Sequence, residues 1–309
     1  MNNVTSKKAL IESALIASIT AFFGIVGVYI PVLSVLLVLL PVPFMVLAVR
    51  HSTRYAALSL LLTSLLIGFL TSLLYPLFIL LLVGPLALLM GYYIKRNREP
   101  FQVMALGSGA SIISIFIAIQ IISLVSGFNV MSQVNLMLPE VLEHQMDMLR
   151  EMNFSRVAIT EAFNYMVMIL PGLMMIQVFI GAFINYYLTI SILRRFRVET
   201  YELPSFSHFK LPHNIVLGTF IIFVLSLLTT YIEGIYHTSL IANVTLLFVF
   251  IFFLQGISFV SYLIKKTRIN RTVRIIIIVL IVLISPLLTV VSIMGVIDAM
   301  LDIRKLRKS

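Results

Sequence analysis

The chain of 309 residues contains no cysteine and no tryptophan, and charged residues make up only 11% of it. Without cysteine, the chain forms no disulfide, binds no metal through a thiolate and has no cysteine nucleophile. Hydrophobic residues account for 61% of the sequence, and the mean hydropathy is +1.11. A soluble domain of this size cannot bury so much apolar surface, so most of the chain is predicted to lie in a lipid bilayer.

The sequence also lacks the short motifs of several enzyme classes. It has no Gly-x-x-x-x-Gly-Lys-Ser/Thr phosphate loop, no Gly-x-Ser-x-Gly and no His-Glu-x-x-His. The five histidines are scattered, which predicts no metal site. The predicted spans carry almost no charge, which argues against a proton pump or antiporter. We therefore expect no enzymatic activity, no cofactor and no ATPase, with an integral-membrane enzyme as the third alternative.

The net charge is +10, and the basic residues form short clusters between apolar runs. This pattern is typical of cytoplasmic loops. Nucleic-acid binding is an alternative explanation for the sequence pI of 9.9, but no basic region exceeds ten residues. We predict a multi-pass membrane protein that binds no nucleic acid, and the absence of cysteine suggests that the membrane is a bacterial cell membrane.

A polar stretch at 194–212 divides the chain: six apolar segments precede it, and three follow it. The predicted spans are 9–30, 32–49, 55–74, 76–94, 101–126, 163–193, 213–232, 239–264 and 275–296. The first is too long for a signal peptide, so it is taken as an uncleaved helix. Pro41 and Pro43 make the second either a kinked span or a re-entrant piece. The predicted fold class is all-α, a polytopic bundle of eight or nine transmembrane helices with a cytoplasmic N-terminus.

The basic C-terminal tail conflicts with nine complete spans. If the N-terminus is inside, nine spans place Arg304, Lys305, Arg307 and Lys308 outside, against the positive-inside rule. Either the last segment turns back at Pro286, or the tail is an exception to the rule. The number of spans therefore stays at eight or nine.

The chain is predicted to have three parts. Residues 1–193 form a six-segment membrane domain, and 213–309 form a three-segment C-terminal membrane domain with a basic tail. Between them, 194–212 is a cytoplasmic linker loop, because it opens with Arg194, Arg195 and Arg197. An outer loop at 127–161 carries five acidic residues and a predicted amphipathic helix starting at Pro139. Its acidic face is either a solvated surface or a lid over an outward-facing pocket.

Small residues line one face of the first span: Ala14, Ala17, Ser18, Ala21 and Gly24. Small side chains let two helices approach closely in a membrane. The face serves either ordinary packing inside the bundle or the docking of a second membrane protein, with Ala14, Ala17 and Ala21 as the docking residues.

Seven polar residues in or near the spans are candidates for binding a small-molecule solute: Asn164, Gln177, Asn185, Glu233, His237, Asn243 and Gln255. Glu233, His237 and Asn243 fall around the outer turn between the seventh and eighth spans. They either bind a solute or relay a proton there, or lie among wet lipid headgroups. Which solute is bound does not follow from these residues.

An ordered series of short motifs spans the second half of the chain. It comprises Leu203-Pro204-x-Phe206, Leu211-Pro212, Asn243-Val244, Gln255-Gly256 and Gly295-x-x-Asp298-x-x-x-Asp302-x-Arg304. This series resembles the YybS-like family of uncharacterised bacterial membrane proteins, found mostly in Firmicutes.

That family is similar in turn to the substrate-binding (S) components of energy-coupling-factor vitamin transporters. In S components the small face of the first helix meets a transmembrane coupling subunit, which implies the same role for Ala17 and Ala21. The resemblance implies a solute-binding or transport-associated membrane protein without its own ATPase. The three C-terminal spans have no counterpart in S components, and the alternative is a scaffold or interaction protein of the cell envelope.

Overall fold

The computed structural model describes residues 2–72, 75–127, 155–201, 206–234, 236–267 and 270–305. Within these ranges the chain is helical and contains no strand. The α-helices are α1 Asn2–Tyr29, α2 Pro41–Arg50, α3 Thr53–Leu70, α4 Tyr75–Lys95, α5 Pro100–Ser126, α6 Arg156–Met168, α7 Leu170–Arg195, α8 His213–Leu228, α9 His237–Lys266, α10 Arg271–Leu283 and α11 Ser285–Leu301. Short 3-10 helices cover Pro31–Leu39, Phe206–His208 and Thr229–Tyr231. The predicted amphipathic helix after Pro139 and the Leu203-Pro204 pair lie outside the described residues.

Eight helical segments of the described chain are long and apolar enough to cross a membrane. A ninth candidate is the pair α10 and α11, if the two together count as one span. The protein is thus an all-α, multi-pass membrane protein, as its composition predicts. The cytoplasmic position of the N-terminus stays a prediction.

The backbone contacts divide the chain into two compact units. Unit 1 comprises Met1–Gln145 and Gln177–Leu203, and unit 2 comprises Met146–Ile176 and Pro204–Ser309. The predicted division into 1–193, 194–212 and 213–309 stays a prediction. The two schemes differ mainly at α6 and the first turns of α7, which group with unit 2.

The second span forms the core of unit 1. It begins as a nine-residue 3-10 helix, Pro31–Leu39, and continues as α2, whose residues are nearly all buried. Phe44 and Met45 of α2 are fully buried with Met90 of α4 and Tyr186 of α7. A 3-10 helix rises about 2.0 Å per residue and an α-helix about 1.5 Å, so the segment reaches roughly 33 Å. That length crosses a hydrocarbon core of about 30 Å, and of the two predicted readings a kinked span fits better than a re-entrant piece.

The last apolar segment does not run straight. α10 and α11 are bent by 105° at a break at Ile284, two residues before Pro286. At about 1.5 Å per residue, their 13 and 17 residues give roughly 20 and 26 Å, each shorter than the hydrocarbon core. Arg304, just beyond α11, and Lys265, at the end of α9, both contact Ser207. The segment therefore turns back, and its C-terminal end lies at the same end of unit 2 as the start of α10. The side of the membrane on which the basic tail lies stays a prediction.

Candidate functional site

The seven candidate solute ligands are divided between the two units. Gln177 and Asn185 belong to unit 1, and the other five belong to unit 2. Asn164, Gln177, Glu233 and His237 are exposed, whereas Asn185 and Gln255 are fully buried and Asn243 is half-buried. The three inward-facing amides each have a specific partner set.

Asn185 of α7 supports the break in the second span. In a 3-10 helix the carbonyl of Val38 would accept from the backbone N–H of residue 41, but residue 41 is proline and has no N–H. The Nδ2 of Asn185 donates to that carbonyl at 2.9 Å and to the Gly181 carbonyl at 2.7 Å. Its Oδ1 is buried and accepts no hydrogen bond from any described residue. Asn185 therefore keeps one buried acceptor unused.

Asn243 of α9 bridges the break between α6 and α7. Pro171 interrupts the helix at Ile169, and the Gly172 N–H and the Met168 carbonyl, partners in a continuous α-helix, no longer bond to each other. Asn243 accepts from the Gly172 N–H at 2.6 Å and donates to the Met168 carbonyl at 2.8 Å. Gly172 is required here, because a Cβ at this position would lie 2.7 Å from the Asn243 Oδ1. Asn243 thus bonds to both sides of the break between α6 and α7.

A third proline is compensated in the same way. Pro85 inside α4 removes the N–H that would bond to the Leu81 carbonyl, and Ser114 of α5 donates to that carbonyl at 2.6 Å. Sequence reasoning missed Ser114. The proline inside a predicted span was the available signal, since it predicts that the carbonyl four residues earlier needs an outside donor.

The densest polar cluster joins the segment 206–211 to α9 and to the C-terminal end of α11. We call it the arginine clamp, and its members are Ser207, Gln255, Ser258, Asp298 and Arg304 with the backbone of Phe206, Phe209 and Leu211. The side chains of Arg304 and Asp298 are fully buried and form an ion pair at 2.7 Å. Burial of both charges is possible because Arg304 has three further hydrogen-bond partners and the Asp298 carboxylate also accepts a hydrogen bond from Gln255.

Arg304 is the centre of the clamp. Its Nη1 donates to the Ser207 carbonyl at 2.9 Å and to the Ser258 Oγ at 2.8 Å. Its Nη2 donates to the Phe209 carbonyl at 2.9 Å as well as to Asp298. A lysine has a single ammonium group and does not reproduce this planar set of contacts.

Gln255 completes the clamp from α9. Its Nε2 donates to Asp298 at 2.5 Å, and its Oε1 accepts from the Leu211 N–H at 3.0 Å. The Ser258 Oγ contacts the carbonyls of Phe206 and Phe209. The backbone of 206–211 is therefore bound at four groups, through five hydrogen bonds, by three side chains that are distant from it in sequence.

Two glycines bring α9 and α11 close enough for these bonds. A Cβ at Gly256 would lie 1.9 Å from the Val291 carbonyl oxygen, and one at Gly295 would lie 1.9 Å from the Phe252 carbonyl oxygen. Both contacts are with backbone, so an added side chain would force the helices apart. The predicted motif residues Gln255-Gly256 and Gly295-x-x-Asp298 thus act together. The two glycines allow α9 and α11 to pack closely, and Gln255 and Asp298 are then near enough to form a hydrogen bond.

The rim of the clamp carries further contacts. Lys210 forms an ion pair with Asp302, which closes α11 in a left-handed conformation with φ 48°. The Nζ of Lys265 donates to the Ser207 Oγ at 2.7 Å. Phe206 and Phe209 stack at 6.0 Å with an interplanar angle of 11°. Sequence reasoning had not identified Lys265 or Ser258, because nothing local links them to a loop about 50 residues earlier.

Unit 1 has a smaller charged cluster at one end. Glu12 of α1 lies 3.3 Å from Arg50 and 2.7 Å from His51. The guanidinium of Arg50 also lies 4.4 Å from the centre of the Phe196 ring, and Lys95 donates to the His51 carbonyl. α1 at Glu12 and the C-terminal ends of α2, α4 and α7 therefore meet here, at what we call the basic end of unit 1.

The small face of α1 is occupied within unit 1. Ala17 is fully buried and Ala21 is 3% exposed, while the hydroxyls of Ser59 and Thr63 on α3 bond to the carbonyls of Ser13 and Ala17. Of the three predicted docking residues only Ala14 is exposed. Docking of a partner through α1 stays a prediction, and in this arrangement it depends on Ala14.

Comparison with known proteins agrees with the motif series. A family model described as "Predicted membrane protein (DUF2232)" matches residues 18–299. The chain is 24% identical over 304 residues to "Uncharacterized protein YybS" of Bacillus subtilis (strain 168), and the match covers 96% of this chain and 97% of that protein. No solved structure matches the chain.

Proposed function

The chain belongs to the family of predicted membrane proteins described as DUF2232, and we propose that it is a solute-binding, transport-associated membrane protein with no ATPase or other enzymatic activity of its own. Unit 1 is the proposed solute-binding part. In this proposal unit 2, with its arginine clamp, has a supporting role, because the polar groups of the clamp already bond to one another.

The unused acceptor of Asn185 is the observation that supports this proposal. A buried polar group without a partner costs about 1–3 kcal/mol, so a solute that donates a hydrogen bond to the Asn185 Oδ1 recovers that free energy. Binding sites of membrane transporters are commonly built at interrupted helices, where backbone groups are free to bond to a solute. Asn185 lies at such an interruption.

The surroundings of Asn185 favour an uncharged solute. Gly181, Asn185 and Thr189 fall on one face of α7 at four-residue spacing, and the Thr189 Oγ1 lies 3.6 Å from the Met45 sulfur. The buried residues packed in this core are apolar or neutral. A solute with an N–H or O–H donor and an otherwise apolar body matches these groups.

A binding screen tests the proposal. Purified full-length protein in detergent is screened by thermal shift against vitamins, nucleobases and other neutral heterocycles, and each hit is measured again by equilibrium dialysis. We expect at least one ligand that raises the melting temperature and whose affinity falls at least tenfold in Asn185→Ala.

Asn243→Ala is the matched control, because it also removes an asparagine that supports a proline break, but in unit 2. This variant is expected to melt at lower temperature and to keep the affinity of the wild type. A screen without any hit, or a hit that Asn185→Ala binds as tightly as the wild type, contradicts the proposal.

A further inference from the structure

An open groove of about 830 Å³ lies in unit 1 between α3 and α4. Its lining includes Arg54, Ala57, Leu58 and Leu61 of α3 with Gly84 and Leu88 of α4. The groove forms because Ala57 and Gly84 place little side-chain volume between two rows of leucines. Arg54 is the single charged residue of its lining.

The groove lies on the side of α3 that faces lipid. Leu58, Leu61 and Leu65 are exposed large apolar residues on a helix that is long and apolar enough to span the membrane. From Arg54 to Leu61 the groove follows α3 for about 10 Å, and from Leu80 to Leu89 it follows α4 for about 14 Å. These lengths match one leaflet of a hydrocarbon core about 30 Å thick.

Arg54 differs from the other basic residues near the start of α3. Arg50 pairs with Glu12, and Lys95 donates to the His51 carbonyl. Arg54 is exposed and makes no hydrogen bond or ion pair with any residue that the structure describes. Its guanidinium is therefore available to an anion at the membrane surface, directly above an apolar groove.

From this combination we propose that the α3–α4 groove is a binding site for an anionic phospholipid. One acyl chain lies in the groove along Leu58, Leu61 and Leu88, and the phosphate-containing headgroup pairs with Arg54 at the basic end of unit 1. A guanidinium binds a phosphate by two parallel hydrogen bonds, which favours an anionic headgroup over a zwitterionic one. This site is separate from Asn185, so it stands or fails independently of the proposed solute.

The absence of tryptophan permits a direct measurement. Leu58→Trp places a single fluorophore in the groove, and Ile19→Trp places one on an exposed position of α1 as the matched control. The full-length variants are reconstituted in phosphatidylcholine vesicles that contain a small share of brominated-acyl phosphatidylglycerol, or the same share of brominated-acyl phosphatidylcholine, and quenching is compared.

We expect the phosphatidylglycerol analogue to occupy the groove about fivefold more readily than the phosphatidylcholine analogue at Leu58→Trp, the contribution of one arginine near an anionic surface. At Ile19→Trp the two analogues should quench equally. Adding Arg54→Gln should remove the preference, whereas Arg195→Gln, which removes the same charge from the exposed end of α7, should leave it unchanged.

Equal quenching by both analogues at Leu58→Trp would overturn the proposal. An equal loss of preference in Arg54→Gln and Arg195→Gln would also overturn it, since the effect would then be a general surface charge. A third variant, Ala57→Leu, narrows the groove at its lipid-facing wall without entering the core. It should reduce quenching by the phosphatidylglycerol analogue, and unchanged quenching by that analogue in this folded variant would exclude the groove as the site.

Discussion

Replacing Arg304 by alanine is expected to release the segment 206–211 from the rest of unit 2. In the wild type this side chain bonds to Asp298, to the Ser258 hydroxyl and to the carbonyls of Ser207 and Phe209. Alanine removes all of these bonds at once and leaves a carboxylate in a position that is 0% exposed.

The free-energy cost of Arg304→Ala follows from the buried charge that it leaves on Asp298. Removing one partner of a buried ion pair costs about 3–5 kcal/mol, because the remaining charge is left without compensation. If all of that free energy holds the segment closed in the wild type, its loss makes local opening about 160- to 5,000-fold more frequent, at about 1.36 kcal/mol per factor of ten. Adding Asp298→Asn to Arg304→Ala should recover part of the loss, since no unpaired charge is then buried.

A cysteine placed at Leu211 measures the opening, because the chain has no other cysteine. Leu211 is 6% exposed, and the substitution keeps its backbone bond to Gln255. The rate of maleimide labelling of Leu211→Cys should be low in the otherwise wild-type protein. In Arg304→Ala it should rise by up to the same factor as the frequency of local opening. Lys305→Ala is the control, as it removes the next basic residue, whose side chain is exposed.

Two results would refute the reasoning. If Arg304→Ala and Lys305→Ala label at the same rate, the clamp does not hold the segment. If Asp298→Asn added to Arg304→Ala leaves the rate unchanged or raises it further, the cost does not come from the unpaired carboxylate.

Three further substitutions test other parts of the structure. Gly295→Ala should lower the free energy of unfolding by about 1–3 kcal/mol, because its Cβ meets the Phe252 carbonyl at 1.9 Å. Gly218→Ala, with nothing within 4 Å, should be neutral or stabilising in the same denaturation assay, and equal losses would contradict the close helix crossing. Asn243→Ala should cost about 1–3 kcal/mol by leaving the Gly172 N–H unpaired, and less in a Pro171→Ala background where the helix can close its own bond. An additive double-mutant cycle would argue against that account. Finally, Lys266→Cys and Lys305→Cys should react with an impermeant maleimide from the same side of the membrane, and labelling from opposite sides would exclude the turn at Pro286.

The positions of the helix interruptions were largely predictable from the sequence. Pro41, Pro171 and Pro286 lie within two residues of observed breaks, and Pro43 lies in the first turn of α2, because proline removes a backbone donor wherever it occurs. The residues that supply the missing donors were only partly predictable. Asn185 and Asn243 stood out as amides in apolar segments. Nothing in the neighbouring sequence indicates that Asn185 bonds to a carbonyl 147 residues away, or Asn243 to one 75 residues away.

The contacts within the arginine clamp also join residues that are far apart in the sequence, so they were not predictable from it. Asp298, Asp302, Arg304 and Gln255 appeared in the sequence as separate parts of a family motif. The structure brings three of them together on the backbone of 206–211 and pairs Asp302 with Lys210. It also buries Ala17 and Ala21 inside unit 1, while docking of a partner through α1 stays a prediction.

Composition alone determined that this is a multi-pass helical membrane protein, because the free energy of placing an apolar segment in lipid is a sum over its own residues. The location of most spans and of their proline breaks followed for the same reason: hydropathy and the loss of a backbone donor are local properties of the chain. Only the tertiary structure decided which polar side chain satisfies each break, which charges neutralise each other, which way the last segment turns and where a groove is left open to lipid. Those outcomes depend on which helices become neighbours, and that arrangement is a property of the packed units rather than of any single segment.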